Sequence, residues 1–360
     1  MYPSMPPETG RDSWADGPRP GPPGRGRTPV PPGQPGPAGP ARPPMAIDES
    51  PHDEWSEFGV GRRPRGELVP GPPPVDEDLE EEEIEVVPVR RSLAIAIAGF
   101  SALLGIGLVF GAQLAGPGSA RIPFAVVVFG VQVLFVLAWT MAMRPPALFL
   151  VAGVAIAAAV AADVAAVTAE VAGLAPLGYV AVAGFVAGVL GQLVRRADRV
   201  RVTDSLGSTL LIVVGVVALA TLIVLGRVPI GTQAIFVCLA SAGISLTVAR
   251  LTDAVLPWPR LAPQVPRGAA GVVIGAMVGT LAAGVIGIFL VGFSPTSAAV
   301  VGLIAAATAA LTDLAVGYAE AGRQMAGEPP TMWVARHMQG PLGGFALAAP
   351  AAYAMSVLFL

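Results

Sequence analysis

The chain reads as an all-α polytopic membrane protein, with about nine transmembrane helices following a polar, acidic, proline-rich N-terminal tail. Three observations predict this. Residues 92–360 hold nine apolar segments of about 20 residues each, the helix length that crosses a hydrocarbon core of roughly 30 Å. The 360 residues are 54% hydrophobic and include 44 Gly, a membrane-class composition. Residues 1–88 contain 22 of the 37 prolines and 17 carboxylates against 8 arginines. So little aliphatic surface cannot offset ordering entropy, and the tail is expected to be disordered.

The expected spans are 92–113, 122–142, 147–168, 173–194, 207–226, 231–253, 268–293, 296–318 and 340–360. Arginines mark their ends. With the N-terminus in the cytoplasm, the inner side receives Arg90, Arg91, Arg144, Arg195, Arg196, Arg199, Arg201, Arg250, Arg260, Arg267, Arg323 and Arg336, and the outer side only Arg121 and Arg227. This asymmetry predicts a plasma-membrane protein with a cytoplasmic N-terminus and, after nine spans, an external C-terminus. Every one of the 22 basic residues is arginine, so chemistry that needs a lysine ammonium is excluded. The single cysteine, Cys238, falls within the sixth span, where it acts as a small buried hydrophobe. The seventh span carries Gly271, Gly275 and Gly279, a small-xxx-small ridge suited to close helix packing and compatible with a homodimer.

The tail carries a net charge of −9 and the rest of the chain +6. Three of its segments stand out. Pro18 to Pro44 favours polyproline II. Trp55 and Phe58 lie among acids, ahead of Arg62, Arg63 and Arg65, in the form of a short linear motif for a cytoplasmic protein partner. Asp76 to Glu85 holds eight carboxylates in ten residues; it is either a solvated charge run or a segment lying across the inner arginines in cis.

Ionisable groups at membrane depth each need a reason, at roughly 2.5–3.5 kcal/mol per group at a helix centre. Asp163 and Glu170 fall near the outer end of the third span. Asp204, Asp253, Asp313 and Glu320 all fall toward the inner face, near His337. They form a candidate polar or metal cluster, since grouped carboxylate oxygens suit Mg²⁺. The competing reading is helix-end ion pairing, Asp253 with Arg250 and Glu320 with Arg323, at i, i+3 spacing. Candidate lipid-headgroup contacts are Arg199 and Arg201, together with Trp258, Arg260 and Arg267 of the proline-stiffened 254–267 loop. No phosphate-cradling glycine loop, hydrolase elbow or cysteine–histidine metal spacing is present, and nothing suggests nucleic-acid binding.

The last hundred residues resemble actinobacterial phosphatidate cytidylyltransferases (CDP-diacylglycerol synthases). Thr312-Asp313-Leu314 stands at the family's Gly-Asp-Leu, Arg336-His337 near its Pro-x-His-Gly-Gly, and Ala348-Ala349-Pro350-Ala351-Ala352-Tyr353 at its closing Ala-Ala-Pro-x-Ala-Tyr. Asp253 and Leu261-Ala262-Pro263 are similar to an upstream helix end and loop, and Arg199 to Asp204 to the start of a middle span. The resemblance implies a nine-span fold, phospholipid metabolism and a cytoplasmic face that transfers CMP from CTP to phosphatidate with divalent metal. It also implies a loss, because the family's Asp-Arg-x-Asp-Ser corresponds to Gly340-Pro341-Leu342-Gly343-Gly344 and its lysines are missing. The expected protein is therefore a non-catalytic scaffold or regulator touching membrane lipids. Two alternatives stay open, an active synthase using Mg²⁺ on rearranged carboxylates and a transporter or lipid-handling protein.

Overall fold

The computed structural model describes residues 87–114, 121–194, 201–329 and 331–359, all within one unit of the chain, residues 76–360. Trp55, Phe58, the Asp76–Glu85 run and Arg199 lie outside the described residues. Among the described residues are nine helices: α1 (Arg91–Gln113), α2 (Ile122–Met143), α3 (Leu148–Thr168), α4 (Ala175–Val194), α5 (Val202–Leu225), α6 (Gly231–Val255), α7 (Ala269–Phe289), α8 (Pro295–Met325) and α9 (Trp333–Phe359). All nine are long and apolar enough to cross a membrane, and the chain is a multi-pass membrane protein. Helix is what such runs must form, because hydrocarbon offers no partner for an unpaired backbone N–H or C=O.

Three helices extend beyond their apolar runs. α5 begins at Val202 rather than 207, with Asp204 in its first turn. α8 continues past 318 to Met325, and α9 begins at Trp333 rather than 340. Hydropathy locates the part of a helix that tolerates lipid, whereas the helix itself continues for as long as its polar side chains find partners. Glu320, Arg323 and Arg336 do so in these extensions. In contrast, α7 stops at Phe289, short of 293. Gly292 turns the chain with φ +90, and Ser294 caps α8 through a reciprocal box with Ser297, followed by Pro295 in the first turn.

α5 is the most enclosed helix, with 83% of its apolar stretch buried against 17% for α4. α6 packs on α7, α1 and α8, and α9 runs beside α8, α5 and α2. The α6–α7 contact depends on the glycine ridge. A Cβ on Gly275 would stand 2.6 Å from the Ser245 carbonyl, one on Gly279 2.6 Å from that of Ser241, and one on Gly271 2.8 Å from that of Ala249. The same two serines tie α6 to α8, Ser241 Oγ donating to the Gly302 carbonyl at 2.8 Å and Ser245 Oγ to that of Ala306 at 3.2 Å. Gln132 Nε2 links three helices, donating to Asp163 Oδ1 and to the Val216 carbonyl, each at 2.9 Å. Asp163 is thus a buried interhelical group. Cys238 is buried as expected.

Two buried stripes place the site. On α8, Ala298, Val301, Gly302, Ala305, Ala306, Ala309 and Ala310 face the interior, and the next residue on that face is Asp313. On α6, Leu246 and Ala249 lead in the same way to Asp253. Helical periodicity that buries alanine for several turns therefore buries a carboxylate at the next position on each of these faces.

Overpacking a tight helix contact costs about 1–3 kcal/mol. Gly275→Val is expected to lower the melting temperature in detergent by several degrees. Gly99→Ala, with nothing within 4 Å of the added carbon, is expected to leave it unchanged. Thermal unfolding of the two purified variants compares them.

Candidate functional site

Asp313 and Asp253 are 0% and 1% exposed, and two arginines neutralise them. Arg267, itself 1% exposed, lies between the carboxylates, its Nε donating to Asp253 Oδ2 at 3.0 Å and its Nη1 to Asp313 Oδ2 at 2.7 Å. Arg250 approaches Asp313 from α6, with Nε 2.9 Å from Oδ2 and Nη2 2.5 Å from Oδ1. The second Asp253 oxygen accepts the backbone N–H of Gly268 at 3.0 Å. The network joins α6, α8 and the 256–268 loop. Burial alone would depress the Arg267 guanidinium, but the Asp313 and Asp253 carboxylates beside it hold it above its ordinary value. It therefore stays charged throughout the physiological range.

The loop reaches this depth because it folds back on itself. Arg260 and Gly268 form an antiparallel bridge, and the Ala269 N–H donates to the Pro259 carbonyl at 2.8 Å. Only glycine fits where α7 starts and where α9 passes: a Cβ on Gly271 would run into the Asp253 carboxylate, and one on Gly340 into that of Asp313. Gly340 is thus the space the Asp313–Arg250 pair occupies. Gly343 borders a different feature. Its added Cβ would stand 3.3 Å from Trp139, beside an apolar cavity of about 400 Å³ lined by Phe135, Leu211 and Leu347 among others.

Over the network opens a cavity of about 310 Å³. Its walls come from the 87–90 lead-in, the ends of α6 and α8, the loop and the start of α9, and they include Arg90, Arg250, Gln264, Arg267, Glu320, Trp333, Arg336 and His337. Glu320 is shared by Arg336 Nη1 at 3.0 Å, Gln324 Nε2 at 2.9 Å and Arg323 Nη2. His337 meets Trp333 edge-on, ring centroids 5.3 Å apart. The lead-in is fixed to the loop: the Val87 N–H donates to the Pro263 carbonyl at 3.1 Å and Arg260 Nη1 to the Val87 carbonyl at 2.6 Å.

The carboxylates Asp204, Asp253, Asp313 and Glu320 do not come together. Asp253 and Asp313 share Arg267, Glu320 lies across the cavity with its own cations, and Asp204 pairs with Arg201 on the exposed surface at 2.6 Å. No group of three or more His, Cys, Asp or Glu placed to hold a metal ion occurs among the described residues. Glu320 pairs with Arg323 as the i, i+3 spacing predicts. Asp253 does not pair with Arg250; the partners cross, because Arg267 enters between the helices and Arg250 turns to Asp313. Arg267 is likewise not on the surface but buried beneath the cavity. Trp258, 65% exposed, and Arg201 remain on the surface, and Arg260 holds the lead-in. The sequence reading placed Arg250 beside these carboxylates but missed Arg267 and Arg90 as cavity residues. Its one available signal was the presence of both Arg250 and Asp253 within a single apolar span, an arrangement that demands interior partners.

No known protein family, characterised protein or solved structure matches the chain.

Removing one partner of a buried ion pair strands the other, at about 3–5 kcal/mol, whereas an exposed pair contributes about 0–1 kcal/mol. Arg267→Gln is therefore expected to destabilise the protein severely and Arg201→Gln hardly at all. Guanidinium-free thermal melts of both variants in one detergent measure the contrast.

Proposed function

We propose that this is a non-catalytic membrane protein on a phosphatidate cytidylyltransferase-like frame, serving as a scaffold or regulator in phospholipid or envelope metabolism. Its N-terminus lies in the cytoplasm and its C-terminus outside the plasma membrane. In this orientation the arginine-lined cavity opens to the cytoplasm, beside the point where the tail leaves the membrane.

The observation that carries this reading is the position of Arg267. Its guanidinium bridges Asp253 and Asp313, the two carboxylates a divalent ion would need. Mg²⁺ demands near-ideal octahedral oxygen geometry, and its binding here would have to displace a fully buried guanidinium and leave it unpaired. The glycine at position 340 supports the same reading. A side chain there would compete for the volume of the Asp313 carboxylate, so the pair with Arg250 and an aspartate at 340 exclude each other.

The test is a Mg²⁺- and CTP-dependent cytidylyltransferase assay with phosphatidate on the purified full chain, run beside an active member of that family. No product is expected, and none after Gly340→Asp. Product formation abolished by Asp313→Asn would overturn the proposal and assign metal to the surviving carboxylates.

The apolar cavity beside Gly343 favours a second reading, lipid handling. If an acyl chain lies against Trp139 and Leu347, Gly343→Leu is expected to reduce co-purified lipid several-fold. Unchanged lipid content, by mass spectrometry of the extracted protein, would count against it.

A further inference from the structure

The cavity over the Arg267 network gathers more positive charge than the described carboxylates neutralise. Arg90, Arg250, Arg267 and Arg336 line it, and Glu320 is the one carboxylate in its walls. Asp253 and Asp313 beneath are taken up by Arg267 and Arg250. Glu320 is divided between Arg323 and Arg336. Arg90 makes no ion pair among the described residues. Arg90, Arg250, Arg267, Arg323 and Arg336 thus face Asp253, Asp313 and Glu320, an excess of two positive charges.

Hydrogen bonding leaves the same deficit. Three nitrogens of the lining residues are buried without a partner: Arg267 Nη2, Arg336 Nε and His337 Nε2. Arg267 is 1% exposed, and an unused N–H on an enclosed guanidinium calls for an acceptor. Water can accept such a bond but cannot offset the charge. A phosphate group does both: its oxygens meet the guanidinium fork in parallel, and a phosphomonoester carries about two negative charges near neutral pH. The donors are already held in place, Arg267 by two carboxylates, Arg336 by Glu320 and His337 by the Trp333 ring. At about 310 Å³ the cavity lies at the small end of ligand pockets, about 300–1,000 Å³, which suits a phosphate group with a short organic stub.

We propose that this cavity is a metal-independent binding site for a phosphate dianion, either free phosphate or the terminal phosphate of a lipid. Arg90, Arg336, His337 and Arg267 Nη2 hold the anion. Arg250 supplies charge alone, its Nε and Nη2 being engaged by Asp313. No metal is called for, because guanidinium groups offset the anion and Arg267 occupies the carboxylates beneath. This goes beyond the scaffold reading and is separable from it: phosphate binding and cytidylyl transfer are read by different assays, and either result can fail without the other.

The probe is inorganic phosphate, titrated calorimetrically into the full-length protein in phosphatidylcholine nanodiscs with a chelator present. One saturable site per chain is expected. Arg90→Gln or Arg336→Gln should each weaken it about tenfold or more, as loss of a charge-assisted hydrogen bond does. Arg201→Gln, on the exposed surface, should leave it unchanged. Arg90 holds no described ion pair, so its variant decides the matter should Arg336→Gln fold poorly. A second arm separates the sources. If a lipid phosphate fills the cavity, titration is lost in discs doped with phosphatidate and kept in discs doped to the same charge with phosphatidylglycerol; a free phosphate titrates in both. No saturable binding in the phosphatidylcholine discs, or binding indifferent to both cavity variants, would overturn the proposal. So would binding that appears only when Mg²⁺ replaces the chelator, which would assign the anion to a metal.

Discussion

A charge enclosed in a helix bundle has to find its opposite within the bundle, and much of this molecule is arranged around meeting that demand at one end. Asp253 and Asp313 lie at the ends of buried stripes that are otherwise small and apolar. A buried charge left alone there would be costly. Arg267 comes in from a loop and Arg250 from a neighbouring helix, and the resulting lattice of hydrogen bonds fixes the mutual positions of α6, α8 and the start of α7. Glycines at 268, 271 and 340 are shaped by it, because each leaves room for a carboxylate or a backbone approach that a side chain would block.

The helices were legible in the sequence, since twenty apolar residues in lipid have essentially one way of satisfying their backbone. The ridge at Gly271, Gly275 and Gly279 was legible too, because its four-residue spacing is a local property. The ion network was not. Spacing along one helix offered Asp253 to Arg250, but the choice between partners is made across helices. Arg267 sits in a loop with Trp258 and four prolines, features typical of a membrane surface. What sends it inward is the folding back of that loop against Asp253 and Pro259, which no periodicity announces. The polar extensions of α8 and α9 escaped for a related reason: hydropathy falls where side chains begin to pair with each other.

The proposed cytidylyltransferase-like frame rests on the same stretch of chain. An enzyme that neutralises phosphate with divalent metal needs carboxylates with free oxygens. Here the oxygens of Asp253 and Asp313 are taken up by guanidinium groups and a backbone amide. A fixed organic cation holds the helices together as a metal ion would, but it presents no open coordination position and polarises no water. Such a centre fixes the helices against one another.

The two hydrogen bonds that hold Val87 act on the loop that delivers Arg267. Pro263 and Arg260, its partners, lie four and seven residues from that arginine. The attachment therefore works as a mechanical linkage. A tug on the preceding eighty-six residues, from a bound protein or from movement of a larger assembly, loads the loop before it loads any transmembrane helix. The first element to yield would be the one that seals the buried charges, so tension outside the membrane would be felt as a change in electrostatics inside it.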